Sequence, residues 1–188
     1  LHSTEAFYKN QLQNVLTISV DGKQKSDKAL LHFNKLASEY FDSEYDGHKI
    51  FGDADAPQLY FPTTENELAV NVLPMKSGNF QIPMNFQAGI DGIFTLNFGG
   101  TETLDIQEVL LEDRKSLTIT DLCDKPVYSF AGSADDDPNR FVLHFQSDPS
   151  PGPGISNDHS GQVKVFSEAN NVVVDFLHAE FDQALVKI

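Results

Sequence analysis

The chain has 188 residues, 40% of them hydrophobic, with 15 Phe and no Trp, which is enough for one packed domain plus a fragment, or two small domains. Thirteen Lys and Arg against 28 Asp and Glu leave a formal charge of -15, a surface that repels phosphate backbones and anionic head groups and excludes nucleic acid as a partner. A lone cysteine, Cys123, rules out an intrachain disulfide and a cysteine-based zinc site, and no run approaches the roughly 18 apolar residues of a membrane helix, so no membrane insertion is expected.

The chain opens LHSTEAF, with no initiator Met and no basic-then-apolar leader, and reads as a mature fragment with any targeting peptide outside it. Residues 1–13 form a polar lead-in. Asn14–Val20 is the first predicted strand, with Leu16, Ile18 and Val20 on one face and an Asp21-Gly22 turn after it. Ala29–Asn34 is the second, with Leu31 and Phe33 inward. Residues 35–52 break the alternation. Leu36, Tyr40 and Phe41 fall at helical spacing, which predicts a short helical insert capping one end, with Tyr45, Ile50 and Phe51 tucked beneath it.

Short strands then follow quickly: Gln58–Phe61, stopped by Pro62, and Glu67–Leu73, stopped by Pro74. The run FQIPMNF, Phe80–Phe86, is the pattern in its purest form, with Phe80, Ile82, Met84 and Phe86 on one side and Gln81, Pro83 and Asn85 on the other. Pro83 removes a ladder donor and predicts a sheet edge or a bulge. Ile93–Phe98, Glu108–Asp113, Leu117–Asp121, Val127–Ala131 and Arg140–Phe145 complete ten strands, with Arg114-Lys115-Ser116 as a hairpin turn and Ser133–Asn139 as a turn cluster. Regular short strands separated by turn signals predict an all-β fold, an antiparallel β-sandwich of immunoglobulin-like or jelly-roll type over residues 1–146.

Composition then shifts. Residues 147–161, within QSDPSPGPGISNDHSG, are rich in Pro and Gly and lack apolar periodicity, as in a linker. Gln162–Ser167, Asn171–Leu177 and Gln183–Ile188 read as strands of a second β unit, 162–188, with a Glu168–Asn171 turn. That stretch is too short for an independent domain, so the chain is expected to stop inside its second unit or to add those strands to the first.

Several runs together resemble a known family: VLTISVDGKQKSDKALLHFNKLASEYFDSEYDGHKIFG (15–52), Pro57-Gln-Leu-Tyr60, Ile82-Pro-Met-Asn-Phe86, Val109-Leu-Leu-Glu-Asp113 and the run from Asp137 to Phe145. In this order they look like the β-sandwich preceding the C-terminal sorting domain in cargo proteins of the type IX secretion system. The tail GQVKVFSEANNVVVDFLHAEFDQALVKI is similar to the opening strands of that sorting domain. The resemblance implies a secreted or cell-surface bacterial protein, a sandwich acting as a structural or adhesive module, and a tail read by the secretion machinery and then removed or anchored.

The residues offer little chemical apparatus. Asp42, Glu44 and Asp46 alternate in FDSEYDG, and Asp135, Asp136 and Asp137 adjoin before Pro138. Either set supplies hard oxygens for Ca2+, but the first lacks the twelve-residue loop of a known calcium motif and the second is ordinary turn chemistry, with Arg140 at hand to pair with one acid. His32 and His144 sit opposite the inward faces of their strands and are expected to be exposed. Cys123, between acids in DLCDK, is expected to be buried or inert. There is no Gly-x-Ser-x-Gly elbow, His-Glu-x-x-His motif or phosphate-binding glycine loop. Tyr40, Phe41, Tyr45, Phe51, Tyr60 and Phe61 suggest a sugar-stacking platform, but the absence of Trp favours a core role. The expectation is therefore a non-catalytic module with no cofactor. The rival is a carbohydrate- or calcium-binding module whose partner is a surface glycan or protein ligand.

Overall fold

The computed structural model describes residues 13–146 in full and, in the tail, the backbone of 162–168 and 171–177. The lead-in 1–12, the expected linker 147–161, turn residues 169–170 and the expected strand Gln183–Ile188 lie outside the described residues. The chain divides into two compact units, Leu1–Ser150 and Pro151–Ile188.

The first unit is all-β. Among its described residues the strands are β1 Val15–Asp21, β2 Ser26–Phe33, β3 Gly47–His48, β4 Gln58–Pro62, β5 Glu67–Leu73, β6 Asn79–Gln87, β7 Gly92–Gly99, β8 Glu108–Asp113, β9 Thr118–Asp121, β10 Val127–Gly132 and β11 Phe141–Gln146, with a single 3-10 turn at Thr101–Thr103. Hydrogen-bonded neighbours run β10-β7-β1-β2-β5-β4-β6-β11-β8-β9, with β3 added to β5. Of the second unit, β12 Gln162–Glu168 and β13 Asn171–Leu177 form an antiparallel hairpin.

Two layers arise because β4 serves both. Gln58–Tyr60 pair with Asn85–Gln87 of β6, whereas Phe61 and Pro62 pair with Leu68 and Glu67 of β5. The alternating apolar residues fill the space between the layers: Leu16, Ile18, Val20, Leu31, Met84, Phe86, Leu96, Phe141, Leu143 and Phe145 are all buried. Aromatic rings join the layers. Phe33 of β2 meets Phe80 and Phe145 edge-on at 5.7 and 5.4 Å, and Phe86 of β6 meets Phe94 and Phe130 at 5.1 and 5.0 Å.

Pro83 lies on an edge segment. β4 pairs β6 only at Asn85–Gln87, so the half of β6 that holds Pro83 has β11 on one side and no strand on the other. Successive N–H groups alternate in direction, and Phe86 points its N–H toward the β11 side, to Pro138 O. The missing donor of Pro83 therefore faces the unpaired edge and costs no ladder bond.

The structure corrects several expectations. The sheet is mixed, because Leu30–Phe33 of β2 run parallel to Val70–Leu73 of β5. Residues 35–52 hold turns and the short β3, not a helix. Local side chains take the backbone donors a helix would use: Asn34 Oδ1 accepts from Leu36 N, Ser38 Oγ from Tyr40 N and Asp42 Oδ1 from Glu44 N. The residues at helical spacing also bury no face. Leu36 and Tyr40 are 70% and 85% exposed, Phe41 lies open, and Ile50 and Phe51 are not tucked under the insert. Only Tyr60 and Phe61 of the aromatic group enter the core, while Tyr45 is half-buried.

The β8–β9 turn includes Leu117, which precedes β9 rather than opening it. Its backbone is left-handed (φ 56) and its side chain is 88% exposed. An L-residue in that region costs about 1–2 kcal/mol, and so exposed a side chain returns little by burial. Leu117→Gly is expected to raise the urea midpoint, a net gain of about 0.5–1 kcal/mol after the entropy glycine adds to the unfolded chain. An unchanged or lower midpoint would contradict a strained turn.

Candidate functional site

The four strands of the second layer, β6, β11, β8 and β9, present one outer face whose residues are fixed by register. Asn79, Gln146 and Glu108 form one cross-strand row, and Gln81, His144 and Leu110 the next. Glu112 and Ile119 stand opposite each other on β8 and β9. These side chains line a groove of about 630 Å³. His144 and Glu112 are diagonal neighbours, and His144 Nε2 donates to Glu112 Oε2 at 2.7 Å, both side chains about one-third exposed (34% and 32%). Arg114 Nε stands 3.9 Å from the other oxygen of Glu112. His144 was expected to be exposed; this contact and its neighbours leave it half-buried, as His32 also is.

A polar cluster holds the two free ends of the sheet together. Asp113, at the end of β8, is fully buried and accepts Arg140 Nε at 2.8 Å, Arg140 Nη2 at 2.7 Å and the Tyr128 hydroxyl at 2.9 Å. The backbone N–H groups of Lys115 and Ser116 also donate to it. Arg140 is 5% exposed and gives its remaining arm to Ala131 O at 2.7 Å. Its guanidinium lies over the Phe130 ring, 4.4 Å from the centroid, and near that of Phe141. Burial pushes the Asp113 carboxyl up, but the hydrogen bonds from Arg140, Tyr128 and Ser116 outweigh it and hold the group at about 2. The cluster ties β10, at one end of the strand path, to β8 and β11, near the other end, where no ladder joins them.

The residues singled out from sequence are scattered among local tasks. Asp46 splits its carboxylate between Asp42 N and Val72 N, both at 2.8 Å, and so pins the 42–46 turn to β5. Asp42 binds Glu44 N, and Glu44 is exposed. Asp136 takes Lys115 on both oxygens at 2.7 Å, which holds its carboxyl below the ordinary range, while Asp137 accepts Asn139 N and Asp135 is exposed. The acid beside Arg140 is chiefly Asp113; Asp136 lies 3.7 Å away. Among the described residues no group of three or more His, Cys, Asp or Glu is placed to hold a metal ion. Cys123 is exposed, not buried. Among the described residues no helix is long and apolar enough to cross a membrane.

Sequence reasoning passed over Asp113 and offered Arg140 only the acids of 135–137 as partners. Asp113 shares the parity of Val109 and Leu111, so a charge at that inward position already called for a buried partner. Glu112 and His144 were both on outward positions, but nothing in one sequence says that β8 and β11 are neighbours. No curated protein and no solved structure matches the chain. A family model described as a domain of unknown function (DUF8693) matches residues 5–145, and the chain belongs to that family.

Proposed function

We propose that the sandwich is a non-catalytic structural or adhesive module of an exported bacterial protein, and that the 162–188 unit carries part of a type IX export signal. The observation that carries the first half is how the buried charges are used. Asp113 and Arg140 bind each other and the surrounding chain, and Lys49, its side chain 3% exposed, pairs with Asp27, which also takes Leu59 N at 2.6 Å. Charged groups tied up in this way in closing the fold are poorly suited to proton transfer or attack on a substrate. The export half rests on the resemblance of the sandwich and tail to type IX cargo.

An antibody against residues 13–146 tests the location in the native bacterium. The antigen is expected in the medium or on the surface of wild-type cells and inside cells whose type IX pathway is disabled. Antigen confined to the cytoplasm of both strains overturns the export reading. Saturable turnover of a glycoside, ester or peptide by the purified chain overturns the non-catalytic one.

A further inference from the structure

We infer that the outer groove of β6, β11, β8 and β9 is a binding site for an uncharged glycan. This deepens the adhesive reading above and rests on it. Among the described residues, none lining the groove is Lys or Arg, and two, Glu108 and Glu112, are acidic, which disfavours phosphates, uronates and other anions. Three amides, Asn79, Gln81 and Gln146, each carry donors and an acceptor, the complement of sugar hydroxyls that donate and accept in turn. Ile119, 67% exposed, and Leu110 provide an apolar strip for the C–H face of a pyranose.

A cationic ligand fits less well. His144 and Arg114 already face the two oxygens of Glu112, which leaves Glu108 as the groove's one acid without a basic side chain in salt-bridge reach among the described residues. The groove is also built on strands rather than loops, and the 2.7 Å contact to His144 fixes the Glu112 carboxylate before any ligand arrives, which lowers the ordering cost of binding. Neighbouring strands lie about 4.8 Å apart, so side chains within one cross-strand row are spaced at roughly the length of one sugar ring. The other layer's outer face also holds a groove, of about 530 Å³, but Lys28 lines it, its hydroxyl side chains Thr17 and Ser19 are short, and its one amide among the described residues, Asn97, is held by Asp21. The cleft at the β1–β2 turn has its Lys25 bound to both Asp53 and Asp55.

The test is calorimetric titration of the whole 188-residue chain. The probes are neutral cello-, xylo- and maltohexaose, anionic oligogalacturonate and a cationic chitosan hexamer. At least one neutral hexaose is expected to bind. Its affinity should fall about ten- to a hundredfold in Glu112→Gln and in Gln81→Ala, as for loss of a hydrogen bond to a charged or well-placed group, and stay unchanged in Thr95→Ala on the other layer. Melting temperatures check that each variant is folded; should Glu112→Gln unfold, the exposed Gln81 carries the test alone. Failure of every neutral hexaose at millimolar concentration, a preference for the cationic or anionic probe, or equal affinity in the groove variants overturns the inference. Release of reducing ends from a bound hexaose refutes the non-catalytic reading instead, whereas absent binding without turnover removes the groove alone.

Discussion

Arg140→Met is expected to cost about 3–5 kcal/mol in urea unfolding, because it strands a fully buried carboxylate at Asp113 and removes the donor to Ala131 O. Folded domains have only about 5–15 kcal/mol in total, so the variant should melt far below the wild type. Pairing it with Asp113→Leu should recover part of the loss, since most of the single-variant cost is an uncompensated charge rather than a missing attraction. A double variant as unstable as the sum of the singles would refute this account. Acid titration gives an independent check. The folded carboxyl titrates at about 2, below its unfolded value near 3.9, so its contribution is complete above about pH 4 and disappears as pH falls toward 2. Its size is about 2–3 kcal/mol by linkage. In Arg140→Met the sign reverses: burial without a counterion raises the carboxyl, so the gap to wild type should narrow as the pH falls.

Phe86→Ala should have a comparable effect, about 3–5 kcal/mol. The ring is 1% exposed and touches Phe94, Phe130 and Phe141, which come from three other strands and both layers. Such a junction has no single neighbour able to collapse into the space, so the cavity persists. Phe86→Leu keeps most of the volume and should cost about 1–2 kcal/mol. Equal losses for the two variants would mean that the ring geometry, not the filled volume, holds this region.

Alternation made the strands legible. Glu67–Leu73, Glu108–Asp113 and Asn171–Leu177 are where the period of two places them, and other strand ends move by one to three residues. The pattern works because each strand has one face in a dry core, and that face is written locally. Neighbour relations are not local. The parallel pairing of β2 with β5 and the division of β4 between two partners depend on how the turns after Phe33 travel, which no window of sequence reports. The helical reading of 35–52 failed because spacing alone was counted, while Asn34, Ser38 and Asp42 compete for the same backbone donors. The acid clusters suggested ions, yet Asp42, Asp46 and Asp137 take nearby N–H groups, Asp136 takes a lysine, and Glu44 and Asp135 stand exposed. The groove depends on bringing β6 and β11 beside the β8–β9 hairpin, segments far apart in the chain, so its parts were visible and its assembly was not.

The division of β4 between two partners has a thermodynamic consequence. With Tyr60 on one layer and Phe61 on the other, peeling either layer away requires breaking the same five-residue strand, so neither can melt first and leave its neighbour intact. Denaturation of this unit should therefore be all-or-none, with near- and far-ultraviolet signals falling on one curve.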